Sequence, residues 1–242
     1  AVLWVGALGQ EGAYAVGEAL NGTVNPSGHL VDTWAADAAS APAAANLGDY
    51  TITNSDVFAG NKYIVYAEGV YVGYRYYETR YEDAVLAQGN AGDFDYDAQV
   101  VYPFGYGLSY TDFSWSDYKM TETADGFALN VTVTNTGKAA GKEVVQAYLQ
   151  NPYTEYDRAN RIEKPAVELA GFAKTDTLQP GESQTVQIDV DKSAMKVFDA
   201  YGAGTYILEA GDVLPDGCRQ RPLRPPRTFW PPRAQRWTVM RR

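Results

Sequence analysis

Phe127–Asn135 reads FALNVTVTN, and within it Leu129, Val131 and Val133 alternate with Asn130, Thr132 and Thr134. A period of two puts the apolar side chains on one face of an extended backbone and the polar ones on the other, which predicts a half-buried strand. The texture recurs on both sides, at residues 113–120, 142–150, 166–173, 183–190 and 205–209. Asp125-Gly126, Asn135-Thr136-Gly137, Pro180-Gly181 and Gly202–Gly204 punctuate these runs with turn residues. Short alternating strands at such spacing predict an all-β sandwich, here a domain over residues 113–212.

Upstream the pattern is different. Val2–Val5 is continuously apolar, as suits a buried parallel strand. Gly6 and Gly9 then open a turn into a helix predicted from about Gln10 to Leu20, with Tyr14, Ala15, Ala19 and Leu20 on its apolar side and Asn21-Gly22 as its stop. Glu11 falls in the first turn as a capping charge. Asn25-Pro26-Ser27-Gly28 predicts a turn, His29–Trp34 a strand, and Ala35–Asn46 a surface crossing or short helix. Strand, glycine turn and helix together predict the last unit of an α/β sheet over residues 1–112. The fold class is therefore an α/β remnant followed by a β-sandwich, mostly β overall.

Between the two textures lies Tyr63–Tyr81, YIVYAEGVYVGYRYYETRY, with Tyr at 63, 66, 71, 74, 76, 77 and 81 and a single Glu68-Gly69 pair. Tyr rings offer flat apolar faces with a hydroxyl at the far end, a composition suited to sugars or to a wet interface. A second aromatic stretch, Tyr102–Phe113, is expected to pack with the first. Glu68 has three readings: a proton donor raised by burial, a residue lining a sugar site, or a structural carboxylate paired with Arg75 or with neighbouring amides. Tyr71, Tyr74 and Tyr77 divide between interface packing and a platform for sugar, and Arg75 is placed to stack or to pair with a carboxylate.

Composition narrows the classes. The 242 residues allow about two domains, and a net charge of −10 advertises no surface for nucleic acid or an anionic membrane. With one Cys, Cys218, and one His, His29, there is no intrachain disulfide and little supply for a zinc site or a His-based triad. His29 reads as a structural histidine. No apolar run approaches a membrane span. The opening AVLWVGALGQEG has neither an initiator Met nor a signal peptide and reads as the interior of a domain, so the chain is expected to be a fragment, with a cytoplasmic setting favoured.

Four stretches in order resemble glycoside hydrolase family 3, the β-glucosidase and β-xylosidase group: GQEGAYAVGEALNGTVNPSGHL (residues 9–30), YAEGVYVGYRYYET (66–79), YPFGYGLSYTDF (102–113) and KPAVELAGFAKTDTLQPGES (164–183). The resemblance covers about residues 1–212. It implies the end of the family's α/β sandwich domain followed by an immunoglobulin-like, fibronectin type III-like sandwich. It further implies an exo-acting retaining enzyme with two carboxylates, an Asp from a separate (β/α)8 barrel and a Glu upstream of the GQEG turn, neither expected in this chain. The implied substrate is a β-linked oligosaccharide or aryl glycoside, the implied partner is the barrel, and no metal or organic cofactor is implied. The fragment is expected to be inactive alone; Glu68 remains the one catalytic candidate, and Glu68, Tyr71, Tyr74 and Arg75 are the substrate-binding candidates. A non-catalytic carbohydrate-binding or scaffold module is the alternative. Pro152–Glu163, a polar loop, is expected to pack on the barrel or reach towards the site.

The tail fits neither texture. Val213–Arg242 holds eight Arg, one Asp and six Pro. After Gly204–Asp212 the resemblance implies a strand like YLTAGN, and one back-translation of Val213–Arg221, read from its second base, gives SYLTAAGN. The tail is therefore expected to be frameshifted, with a disordered arm as the alternative.

Overall fold

The structure, a computed structural model, describes residues 2–209, 212–217 and 237–238. In chain order its elements are α1 (Gly12–Asn21), β1 (Trp34–Ala35), α2 (Pro42–Ala45), β2 (Tyr50–Thr51), β3 (Lys62–Tyr63), α3 (Tyr74–Leu86), α4 (Tyr96–Gln99), β4 (Val100–Tyr102), β5 (Phe113–Glu122), β6 (Gly126–Asn135), β7 (Val144–Gln150), α5 (Glu155–Asn160), β8 (Val167–Lys174), β9 (Ser183–Asp191), β10 (Val197–Asp199), β11 (Thr205–Ile207), β12 (Asp212–Gly217) and β13 (Trp237–Thr238). All six strands expected between residues 113 and 209 form. The architecture is an α/β remnant with a β-sandwich. Contacts divide the chain into two compact units, one of residues up to His29 with Gly107–Gln146 and Gly171–Val190, the other of Leu30–Tyr106, Ala147–Ala170 and the described residues from Asp191 onward.

In the first unit β5, β6 and β9 make a three-stranded sheet in that order. β5 pairs antiparallel with β6 from Phe113 opposite Asn135 to Glu122 opposite Phe127, with an irregularity between Ser116 and Lys119 where Asp117 takes a φ of 53°. The alternation in the sequence is realised: Leu129, Val131 and Val133 are buried, as are Val186, Ile188 and Val190 of β9. The opposite face carries hydroxyl pairs across the strands, Thr132 with Thr185 at 3.0 Å and Thr134 with Ser183 at 2.7 Å. Each fully buried valine, Val131, Val133 and Val145, contributes about 1.5–3 kcal/mol of apolar burial. A second sheet has the order β13-β12-β7-β8. Its Gly171 lies against Ile188 of the first sheet, which is the face-to-face contact of a sandwich.

The segment before His29 departs from expectation in three ways. Val2–Val5 forms no strand, and Val2 and Trp4 are 77% and 66% exposed, because none of the described strands lies alongside to pair with it. α1 forms and ends as predicted, with Gly22 left-handed at φ 82° and its N–H on the Ala19 carbonyl, but Tyr14 and Leu20 face solvent and only Ala19 is buried. Glu11 sits at the N-cap without a side-chain capping bond. No closed turn forms at Asn25–Gly28. The Asn25 side chain instead donates to the Ala140 carbonyl (2.9 Å) and accepts from Ser109 Oγ (3.0 Å) and the Tyr110 N–H (2.8 Å). Three such bonds hold the backbone extended where a local turn would have satisfied it. His29 is structural: burial pushes its pKa down, and Gly107 packs so closely on it that a Cβ there would lie 2.9 Å from the ring.

In the second unit the strand expected over His29–Trp34 shrinks to β1, which pairs with β4, while Leu30 exchanges backbone bonds of 2.8 Å with Gly105 and Tyr106. The Ala35–Asn46 crossing holds a 3-10 turn and α2. The Tyr-rich stretch resolves into an extended part, a turn at Glu68–Tyr71 and α3. Tyr77 and Glu78 are the buried positions of α3, with Tyr74 and Tyr81 one turn away on either side, the spacing of one helix face. The two aromatic stretches do pack: Tyr74 stacks on Phe104 with ring centroids 4.3 Å apart, and both contact a core of Tyr148, Ala166 and Val167.

β12 pairs antiparallel with β7, from Leu214 opposite Gln150 to Gly217 opposite Ala147. The rest of the tail apart from β13, including Cys218, lies outside the described residues. No helix among the described residues is long and apolar enough to cross a membrane.

Candidate functional site

Residues 68–79 run beside residues 163–169 within the second unit, and Val70, Tyr71, Tyr74, Arg75 and Thr79 bond across the gap. The turn Glu68–Tyr71 is closed by the Tyr71 N–H on the Glu68 carbonyl at 3.1 Å. Gly69 takes a φ of 58° there, which is what calls for glycine; a Cβ on it would also meet Glu163 Oε2 at 2.0 Å, the movable end of an exposed side chain. Glu163 Oε2 accepts the Val70 N–H at 3.4 Å. Tyr71 Oη accepts the Lys164 N–H at 3.4 Å, Tyr74 Oη the Leu169 N–H at 2.8 Å, and Thr79 Oγ1 the Ala166 N–H at 3.0 Å. Arg75 pairs with Glu168.

The anticipated pairing of Glu68 with Arg75 does not form. Arg75 is in the first turn of α3 and faces Glu168 of β8, whereas Glu68 belongs to the preceding turn and accepts Asn46 Nδ2 at 3.3 Å. Tyr71 is raised above the usual phenol range, chiefly by burial. Tyr77 is core, its hydroxyl 2.9 Å from Ser40 Oγ. The structure therefore brings Tyr71, Tyr74 and Arg75 together as a brace, with Glu68 half-buried at its end.

The loop that precedes Lys164, together with Lys164 and Glu209, completes the arrangement. The Pro152–Glu163 loop contains α5, capped by Thr154 and Asp157 in a reciprocal capping box. Buried Lys164 donates to Asp157 (2.7 Å), to the Pro152 carbonyl (3.1 Å) and to Glu209, while Thr154 Oγ1 donates to Glu209 at 2.8 Å. Thr154-Glu155-Tyr156-Asp157 fits the capping-box pattern and was the available signal for α5; nothing local marks Lys164 as the partner of Glu209, 45 residues away. Among the described residues no group of three or more His, Cys, Asp or Glu is placed to hold a metal ion.

Residues 1–74 match the glycosyl hydrolase family 3 C-terminal domain, and residues 143–214 match the fibronectin type III-like domain. This chain belongs to glycoside hydrolase family 3. Among its relatives, beta-glucosidase A of Butyrivibrio fibrisolvens is 39% identical over 227 residues, covering 86% of this chain and 24% of the relative. A beta-glucosidase of Ruminococcus albus is 37% identical over 216 residues, covering 88% of this chain and 19% of that protein. Among solved structures, beta-glucosidase 3B of Thermotoga neapolitana in complex with alpha-D-glucose has a TM-score of 0.64 at 33% identity, over 84% of this chain and 24% of that one. The chain thus spans about a quarter or less of the length of these proteins.

Proposed function

We propose that this chain is part of an exo-acting retaining β-glycosidase of the β-glucosidase type, hydrolysing O-glycosyl bonds of β-linked oligosaccharides or aryl glycosides, and that it supplies a supporting wall rather than the reacting carboxylates. The names of the relatives support the glycosidase part. The observation that carries the wall is the brace: the Tyr71 and Tyr74 hydroxyls each accept a backbone N–H and Arg75 is paired with Glu168, so these groups hold structure. Glu68, half-buried at the end of the brace and bonded to Asn46, is the residue of the four assigned by this reading to the edge of the sugar site. The nucleophilic Asp and the acid/base Glu of the two-carboxylate mechanism belong to a (β/α)8 barrel and to α/β-sandwich sequence other than these residues. The division into an α/β part over residues 1–112 and a fibronectin-like part over 113–212 goes with this reading; the family 3 match spans residues 1–74, and the fibronectin type III-like match spans residues 143–214, two residues past the second part.

Aryl β-glucoside hydrolysis by the full-length protein and by this chain alone tests the proposal. The full-length protein is expected to be active and the chain inactive. An inactive full-length protein overturns the glycosidase reading, and an active chain overturns the supporting role.

A further inference from the structure

The second unit carries an aromatic surface that the brace does not use. Hairpin β10–β11 places Phe198 directly opposite Tyr206, their rings edge-to-face at 5.3 Å. The loop between these strands wraps Asp199, which is fully buried and accepts the Gly202 and Ala203 N–H groups, each at 2.7 Å, and the Tyr201 N–H at 3.3 Å. These bonds hold the Asp199 carboxyl below the usual range and fix the backbone that presents Tyr201. A Cβ on Gly202 would lie 2.5 Å from Asp199 Oδ2 and 2.8 Å from Asn160 Oδ1, which joins the loop to the end of α5. α5 contributes Tyr156, whose hydroxyl donates to Asp199 at 2.7 Å. Arg161, following α5, places its guanidinium 5.1 Å from the centre of the Tyr201 ring.

Tyr201 and Tyr206 are 70% and 66% exposed, and Phe198 and Tyr156 are also exposed. Rings held at one edge, by a neighbouring ring, an arginine or an anchored hydroxyl, lose little freedom when a ligand covers their open faces. A face of this kind attracts polarised C–H groups, and an arginine beside it supplies donors for hydroxyls. That combination matches a pyranose ring, which has C–H groups on its faces and hydroxyls at its rim, better than it matches an all-apolar partner. Tyr201 lies in the loop joining the strands that carry Phe198 and Tyr206, and Tyr156 of α5 is bonded to Asp199 at the root of that loop, so the rings belong to one hairpin and the helix tied to it.

We infer that Tyr201, Tyr206 and Arg161, supported by Phe198 and Tyr156, form an auxiliary contact surface for an extended β-linked glucan chain. The choice of a glucan rests on the glycosidase reading; the surface itself rests on the geometry above. It holds polymer without acting on it, since it needs none of the reacting groups.

The test is affinity electrophoresis of the 242-residue chain through gels with and without soluble mixed-linkage β-glucan. Retardation is expected for the chain, unchanged for the exposed-aromatic control Phe172→Ala, and weakened at least about tenfold for Tyr201→Ala/Tyr206→Ala, the loss typical of truncating two aromatic anchors. No retardation of the chain, or equal retardation of a double variant that melts as the parent does, overturns the inference. Should the double variant unfold, Arg161→Met, which removes only the cation beside Tyr201, decides: undiminished affinity overturns the inference and reduced affinity supports it. Retardation is read without turnover, so a full-length protein active on aryl glucosides combined with an unretarded chain overturns this inference alone.

Discussion

Gly171 of β8 and Ile188 of β9 meet across the sandwich so closely that a Cβ on Gly171 would lie 2.7 Å from Ile188 Cγ2. Ile188 is itself buried in the core. Gly171→Ala is therefore expected to lower the unfolding free energy by about 1–3 kcal/mol, the usual range for overpacking a core. In an Ile188→Ala background the same change is expected to cost much less, because the obstructing methyl is gone. Denaturant titrations of the four proteins measure the coupling; an equal cost in both backgrounds refutes the contact as the cause.

Asn135 closes β6 and satisfies four partners at once. Its Oδ1 accepts from Thr111 Oγ1 (2.7 Å) and the Gly137 N–H (3.1 Å), and its Nδ2 donates to the Ala139 (2.8 Å) and Leu178 (2.9 Å) carbonyls. Asn135→Ala removes all four bonds, although the Gly137 N–H keeps the Asp112 carbonyl and the Leu178 carbonyl keeps the Gly141 N–H, and is expected to cost about 2–3 kcal/mol. Thr111→Val removes one of the four bonds and is expected to cost about 1 kcal/mol. Equilibrium unfolding of both variants checks the ratio; similar losses count against Asn135 as the shared centre.

These two sites show what the sequence could and could not disclose. The strands were legible because burial on one sheet face writes a period of two into Leu129, Val131 and Val133. α3 is written there too, in the spacing of Tyr74, Tyr77, Glu78 and Tyr81, but Tyr on the other faces of the helix masks the period. The turn expected at Asn25–Gly28 failed because its Asn has partners more than 80 residues away, and local preference is weak against three long-range bonds. The pairing of Arg75 was misplaced for the same reason: Glu168 is 93 residues distant in sequence, and only the packing of α3 beside β8 makes it a neighbour. Glu68 was the nearer carboxylate in sequence, not in space.

Glu143, buried at the start of β7, has its carboxyl pushed up by burial to about 7 from a model-peptide value of 4.5. Between these values the folded state binds a proton that the unfolded state has released, so stability falls as the pH rises from about 4.5 through 7 and then levels. At about 1.4 kcal/mol per pKa unit the full loss is on the order of 3 kcal/mol. Glu143→Gln keeps the size and removes the charge, so it is expected to flatten this part of the profile and to stabilise the protein at pH 8. Urea midpoints of the two proteins from pH 4.5 to 8 provide the measurement; parallel profiles would assign the pH dependence to other groups.

The tail carries a prediction about nucleic-acid sequence. Similarity to relatives covers 78–88% of the chain, and the fibronectin type III-like match ends at residue 214. We propose that Val213–Arg242 is read out of frame. The coding sequence of Val213–Arg221, translated in a neighbouring frame, is expected to give a strand close to YLTAAGN. Codons that cannot yield it in either frame end the proposal.

Tyr74 joins the brace in two separable ways, through its ring and through its hydroxyl. The ring stacks on Phe104 and meets the core at Tyr148 edge-on, while the hydroxyl accepts the Leu169 N–H at 2.8 Å. Tyr74→Phe keeps the stacking and removes one hydrogen bond, for an expected loss of about 1 kcal/mol. Tyr74→Ala removes both and opens a cavity beside Phe104, for an expected loss of about 3–5 kcal/mol. Arg75→Met breaks the half-exposed pair with Glu168, which contributes about 1 kcal/mol or less because solvent screens it. If the stretch is a supporting wall, the Phe and Met variants of the full-length protein keep aryl β-glucoside turnover within a few-fold of the parent while their melting temperatures fall. Loss of turnover of about a hundredfold or more in Arg75→Met, with the fold intact, would instead place the guanidinium at the reacting sugar, since breaking a screened surface pair does not change a barrier by that much.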